Sequence, residues 1–314
     1  MPRPPLPLVL GALALFALPL PASEKPPAPD AWQTALTFDY NTAAERFATL
    51  HAVHPADTRV AIGYASSLLV KQPRTASNIE TAHAILLQVV GTTPVSSAAP
   101  SSPAPLTSLT PPAAQSSPAN DDAVTALFLA ARVELDHLDP AQPDAARAHF
   151  EQLRREHPGH PLADQAAIEL AYLATYTPSG GANPAAIPAV EALLASVKSP
   201  GAARDLHSLL AGLYLRPLNQ PAAALPHFIA ARAIGYEQPL SDAGLDLTIA
   251  NLARETGDPS LARRHYTAFL AAAPRDGRAS TVRRLLADLD SPVTAASAPT
   301  AMSAASVTPA SAAR

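Results

Sequence analysis

Apolar side chains along this chain recur three and four residues apart, in runs broken every 10 to 16 residues by Pro, Gly, Asn or Asp. That spacing follows the turn of an α-helix, not the two-residue alternation of a strand, and predicts an all-α chain of short helices. The pattern repeats itself. Ala43, Phe47, Leu50 and Pro55 stand at steps of four, seven and twelve residues from the first. The same steps give Ala82, Leu86, Val89 and Pro94; Ala146, Phe150, Leu153 and Pro158; and Ala262, Tyr266, Phe269 and Pro274. A fifth copy, Ala224, Phe228 and Ala231, has Tyr236 where proline is expected. A weak sixth runs through Pro188, Ala192, Ala195 and Pro200.

Offsets of four and seven put three side chains on one stripe of a helix. A small first residue lets a neighbouring helix come close, and the large residue one turn later fills the space beside it. Proline twelve residues on ends the unit, because it cannot continue the helix. An upstream partner helix precedes most copies: Asp242 to Glu255 before the last, Asp205 to Leu215 before the fifth. Ala250 and Gly212 stand twelve residues before Ala262 and Ala224, where two helices are expected to touch. The segment Thr256-Gly257-Asp258-Pro259 turns the chain between helices. Each unit therefore reads as a helix hairpin whose apolar faces its neighbours must cover. Five to six hairpins are expected, closed by a helix at about Ala279–Asp288 with Arg283, Arg284 and Asp288 on its outer face.

These residues resemble the tetratricopeptide repeat family. The resemblance rests on the small residue before the turn (Gly212, Ala250), the Gly257-Asp258 turn, the alanine-to-aromatic pair and the closing proline, with Tyr40 three residues before Ala43 in the turn. It covers most of residues 31–290; Trp32 lies outside the family's tryptophan register, and several turns hold proline in place of Gly-Asp. It implies an α-solenoid, a right-handed superhelix of antiparallel hairpins whose first helices line a concave groove. The family's groove positions fall on Arg59, Ser66, Arg132, Tyr172, Leu213, Arg216, Asn251 and Arg254. Arginine, asparagine and aromatics there suit extended peptides and carboxylates; the competing reading is plain solvent exposure. A narrower likeness lies in Glu151 to Tyr172, where His157-Pro158-Gly159-His160-Pro161-Leu162-Ala163 stands in place of the segment between repeats. It resembles exported bacterial repeat proteins of the outer-membrane assembly lipoprotein and Tol-Pal coordinator families. The first of these is anchored through a cysteine, which this chain lacks.

Composition sharpens the picture. Of 314 residues 70 are alanine, 35 proline and none cysteine. That excludes disulfides, thiolate metal sites, thiol nucleophiles and lipid anchoring on cysteine. A net charge of −4 offers no electrostatic case for nucleic acid. Residues 1–22 combine Arg3, an apolar run from Leu8 to Leu20 and a small Ala22. The run is shorter than the roughly 20 residues a membrane-spanning helix needs. It reads as a cleavable signal peptide, with retention as an anchor the alternative. The expectation is a secreted or periplasmic mature chain with no membrane span. Residues 95–119 and 291–314 are almost wholly Ser, Ala, Pro and Thr, and 23–30 is similar. Such segments bury too little apolar surface to offset ordering entropy, so they are expected as a leader, a linker and a tail. The remaining boundaries are hairpins 1–2 over 31–94 and hairpins 3–6 with the closing helix over 120–290.

No motif of catalysis appears: no Gly-x-Ser-x-Gly, phosphate loop, dinucleotide fingerprint or His-Glu-x-x-His. Glu134 and His137 share a spacing used by di-iron bundles, but such a site also needs a second copy and two further glutamates. A solvated helix end beside Asp139-Pro140 is the preferred reading, and no cofactor is expected. His51 with His54, and His157 with His160, are expected at helix C-termini, capping carbonyls. Seven arginines against three acids (Glu255, Asp258, Asp276) lie between Arg254 and Arg284. The leading functional reading is a scaffold that binds a peptide or partner protein in its groove, with cell-envelope assembly the process the resemblance implies. The alternatives are a binder of an anionic envelope polymer through the basic C-terminal end, and a metal-dependent enzyme using the Glu134/His137 region.

Overall fold

The computed structural model describes residues 29–92, 118–176, 181–236 and 238–290. The segments expected as a signal peptide (1–22) and a tail (291–314), most of the expected leader and residues 95–117 of the expected linker lie outside them. Among the described residues the chain is all α, with one isolated bridge between Tyr176 and Ala182 and no strand. No described helix is long and apolar enough to cross a membrane. The chain divides into two compact units, residues 1–213 and 214–314.

The first unit holds α1 (Pro29–Leu36), α2 (Tyr40–Val53), α3 (Thr58–Val70), α4 (Ala76–Thr92), α5 (Pro118–Asp136), α6 (Pro143–Glu156), α7 (Pro161–Thr175), α8 (Ile187–Ser196) and most of α9 (Pro200–Leu215). From α1 to α8 each helix packs on the next. The odd-numbered helices also touch one another, α3 on α5 and α5 on α7. This is solenoid stacking: first helices form one layer, second helices the other. The second unit holds α10 (Pro221–Ile234), α11 (Pro239–Glu255), α12 (Pro259–Ala272) and α13 (Ala279–Asp290), again packed in chain order.

The repeat pattern is the core pattern. Ala43, Ala82, Ala146, Ala224 and Ala262 are each 0% exposed. Phe47, Leu86, Phe150 and Tyr266, one turn later, are sealed as completely. Burial of a side chain that large is worth roughly 1.5–3 kcal/mol, so each of these four copies carries its own anchor. The core clusters join a second helix to the first helices on both sides: Ala82, Leu86 and Val89 of α4 meet Ala61 and Ala65 of α3 and Ala126 and Ala130 of α5. Trp32 joins the first cluster edge-on to Phe47, ring centroids 4.9 Å apart.

Helix ends follow local chemistry. Asp39 caps α2 and Asp57 caps α3 through side-chain acceptance from Thr42 N–H and from Arg59 and Val60 N–H. Gly257 adopts φ +85° where α11 turns into α12, a left-handed conformation that favours glycine. Asp258 then caps α12 by accepting from Leu261 N–H at 2.9 Å. Proline opens α6, α7, α10, α11 and α12 at the first position, where no N–H is needed.

Two expectations are corrected. The sixth copy is two residues out of register: Pro188, Ala192 and Ala195 face outward, while Ala186, Val190 and the half-buried Leu193 make the inner stripe. Gly212 is exposed, and a Cβ there would meet nothing within 4 Å, so it marks no close helix contact. The tight approach is at Gly63 of α3, where a Cβ would stand 2.6 Å from the Phe47 ring and 3.0 Å from Trp32. The closing helix is where it was expected, at Ala279–Asp290.

Candidate partner-binding surface

The neighbouring first helices α3, α5 and α7 carry four of the expected groove residues. Arg59, near the start of α3, lies with its Nε 3.7 Å from Asp122 Oδ1 of α5. Thr58 Oγ1 donates to Asp122 Oδ2 at 2.6 Å. Burial raises the Asp122 carboxyl above its ordinary range, against the lowering pull of Thr58 and Arg59. On the next step, Arg132 of α5 pairs with Asp136 one turn on, at 2.8 Å, and reaches across to the Glu169 carboxylate of α7. Burial also raises Glu169, with Arg132 opposing. Arg59 and Arg132 thus join successive first helices through acids that sequence reading did not single out, Asp122 and Glu169.

Ser66 is half-buried on α3. Tyr172 lies one helical turn beyond Glu169 on α7 and is 39% exposed. It stacks on Tyr176, 54% exposed, with centroids 6.0 Å apart and rings 17° from parallel. Tyr176 was missed because it stands just past the helix; its signal was the four-residue spacing from Tyr172. Leu213 is 2% exposed and offers no surface to a partner. In the second unit Arg216 is exposed in the turn after α9. Asn251 and Arg254 are exposed on α11, and Asn251 Oδ1 accepts from Tyr266 Oη at 2.7 Å.

A second set of polar residues is buried between layers. Glu134 of α5, 2% exposed, accepts from His83 Nε2 of α4 at 3.0 Å and from His149 Nδ1 of α6 at 2.9 Å. Asp246 of α11 is equally buried. It takes both Nε and Nη2 of Arg232 from α10, at 3.0 and 3.1 Å, and His265 Nδ1 from α12 at 2.8 Å. The Asp246 hydrogen bonds raise the Arg232 guanidinium. Each carboxylate ties a first helix to the second helices before and after it. Both histidines on the later helix, His149 and His265, stand three residues after the anchor alanine.

The Glu134/His137 pair does not form one site. Glu134 is buried, not solvated, and turns to His83 and His149; His137 lies past the end of α5, its Nδ1 2.6 Å from Arg74 Nη2. Among the described residues no group of three or more His, Asp or Glu side chains has the arrangement to hold a metal ion. Of the terminal histidines, His51, His54 and His157 stand at helix C-termini as expected and only His160 departs. His54 and His157 end α2 and α6 by their backbone N–H groups, whereas His160 begins α7, its Nδ1 accepting from Leu162 N–H at 3.1 Å.

No protein-family model and no curated protein matches the chain. Among solved structures, a chain in the crystal structure of the APC/C hetero-tetramer Cut9-Hcn1 is similar, with 15% identity and a TM-score of 0.40. The match covers 82% of this chain and 41% of that one.

Proposed function

We propose that this chain is an exported, tetratricopeptide-like scaffold that holds an extended segment of a partner protein along its first helices. The observation that carries this reading is the face shared by α5 and α7, where a fixed Arg132–Glu169 pair lies one turn from the exposed Tyr172–Tyr176 stack. A stacked aromatic pair gives a rigid apolar platform at little entropic cost, and a neighbouring ion pair orients the backbone of a bound strand. The all-α stacking supports the reading only as architecture, since a fold hosts many functions. Export rests on residues 1–22, and a place in cell-envelope assembly on the resemblance of Glu151–Tyr172 to exported repeat proteins. On this reading the chain is a binding protein and not an enzyme.

The test is photo-crosslinking in cells. A benzophenone amino acid at Tyr172, at Tyr176 or at the exposed Gln165 of α7 is introduced into the full chain. Discrete adducts with one partner from Tyr172 and Tyr176, lost when Arg132 is changed to Glu, are expected. Adducts absent at both tyrosines, or no more specific than those from Gln165, would overturn the proposal.

A further inference from the structure

The arginine-rich end of the chain has fewer internal acids than arginines. Residues 259–287 hold six arginines and one acid, Asp276, a local charge of +5. The rest of the chain holds 16 basic and 25 acidic residues, a charge of −9 against −4 for the whole. Two of the six arginines are neutralised. Arg263 donates to Asp290 Oδ1 at 2.8 Å and to the Leu289 carbonyl. Arg278 forks onto Asp276 with two bonds of 2.9 Å and lies 5.5 Å over the Phe269 ring. That fork holds the Asp276 carboxyl down at about 2, so it stays fully committed to Arg278 at neutral pH.

Arg264, Arg275, Arg283 and Arg284 are exposed and bond no carboxylate among the described residues. Arg283 Nη2 donates only to the Pro274 carbonyl, at 3.2 Å, which brings its guanidinium beside the backbone of Arg275. Asp288 stands one turn after Arg284 on α13 without bonding it. The adjoining residues 291–314 contain no acid at all, so that part of the chain cannot supply the missing charge. Lysine is absent from this stretch, and arginine's planar fork matches carboxylates two bonds at a time.

We propose that the α12–α13 turn and the outer face of α13 dock a short acidic segment of a partner protein, a proposal that rests on the scaffold reading above. A short segment fits better than a long polyanion. The basic stretch is confined to one turn and one helix, and the remainder of the chain is net acidic, so an extended polymer would be repelled beyond the patch. Arg275, Arg283 and Arg284 supply the charge, and the Arg278–Asp276 fork holds the turn between them.

The test uses the full chain and fluorescein-labelled octaglutamate, read by anisotropy, with octaglutamine and polyphosphates of graded length beside it. Octaglutamate is expected to bind, octaglutamine not, and the affinity to fall steeply as salt is raised. The R275E/R283E/R284E variant should bind octaglutamate at least tenfold more weakly, and R275Q/R283Q/R284Q should lie between. Charge reversal at the exposed Arg155 should change nothing. Helix content by circular dichroism is compared for each variant, and the Gln series decides the matter if the Glu series misfolds. The proposal fails if octaglutamate does not bind or both triple variants bind it like wild type. It fails equally if polyphosphate affinity climbs with length far beyond that of octaglutamate. Failure here leaves the Tyr172 adducts untouched, whereas lost adducts with octaglutamate binding retained would count against the groove alone.

Discussion

The Glu134 carboxylate shows how much a single side chain depends on what surrounds it. By position it is a polar residue near a helix end; in the structure it is buried and bonded by histidines from two other helices. Its burial is tolerable because each oxygen has a donor. Histidine 160 makes the same point with a measurable consequence. Its Nδ1 must be unprotonated to accept the Leu162 N–H that opens α7, and burial holds its pKa below the ordinary 6.5, with Asp121 pulling the other way. The native state therefore binds fewer protons than the unfolded chain below 6.5. The stability linked to His160 is complete above that pH and is lost as pH falls through 6.5 towards the folded value. His137, also lowered chiefly by burial, acts in the same direction. His160→Asn keeps a cap that can accept the same N–H but cannot titrate. Urea unfolding at pH 7.5 and 5.5 should show wild type losing more stability on acidification than this variant; equal losses would refute the assignment.

At the level of the element, the helices are closed by residues whose role is local and therefore legible. Asp57, Gly257, Asp258 and the first-position prolines act within one turn of where they stand. What a helix packs against is decided elsewhere in the chain, and the two glycines separate the cases. Gly63 and Gly212 look alike in sequence, each in an apolar run of a helix. Gly63 faces the Phe47 ring so closely that a methyl group would have to displace it, while Gly212 faces open space. Gly63→Ala should cost about 1–3 kcal/mol through overpacking, despite alanine's better helix propensity. Gly212→Ala should gain up to about 1 kcal/mol in α9. Denaturant unfolding of the two variants should move in opposite directions; a Gly63→Ala protein as stable as wild type would mean that α2 and α3 can part without loss.

At the scale of the whole molecule, the composition and the architecture explain each other. Alanine occupies the sites where second helices lie close to their neighbours, so a few large residues such as Phe47, Phe150 and Tyr266 suffice to fill each hairpin. Proline serves three ends: it closes units, opens helices and fills the segments of residues 1–28, 93–117 and 291–314. The proposed export is also tested on the whole chain. If residues 1–22 are a signal peptide, the protein expressed with its own N-terminus in a secreting bacterium should be recovered outside the cytoplasm beginning at Ser23. Intact mass measurement checks this, and a mature product that still carries Met1 would contradict it. The sequence by itself determined the all-α class, the buried alanine-anchored stripes of four repeat copies and the closing helix. These follow from periodicity and from end chemistry that acts over a few residues. Only the tertiary structure decided which polar residues are surface and which are joints. Asp122, Glu169, Glu134 and Asp246 meet partners 14 to 64 positions away in the chain. It also decided that Leu213 is buried, that Tyr176 completes an aromatic stack, and that four arginines of α12, α13 and the turn between them bond no carboxylate among the described residues. The physical reason is common to all of these: an ion pair or a close contact is a relation between distant segments, and its strength depends on burial that no local spacing encodes.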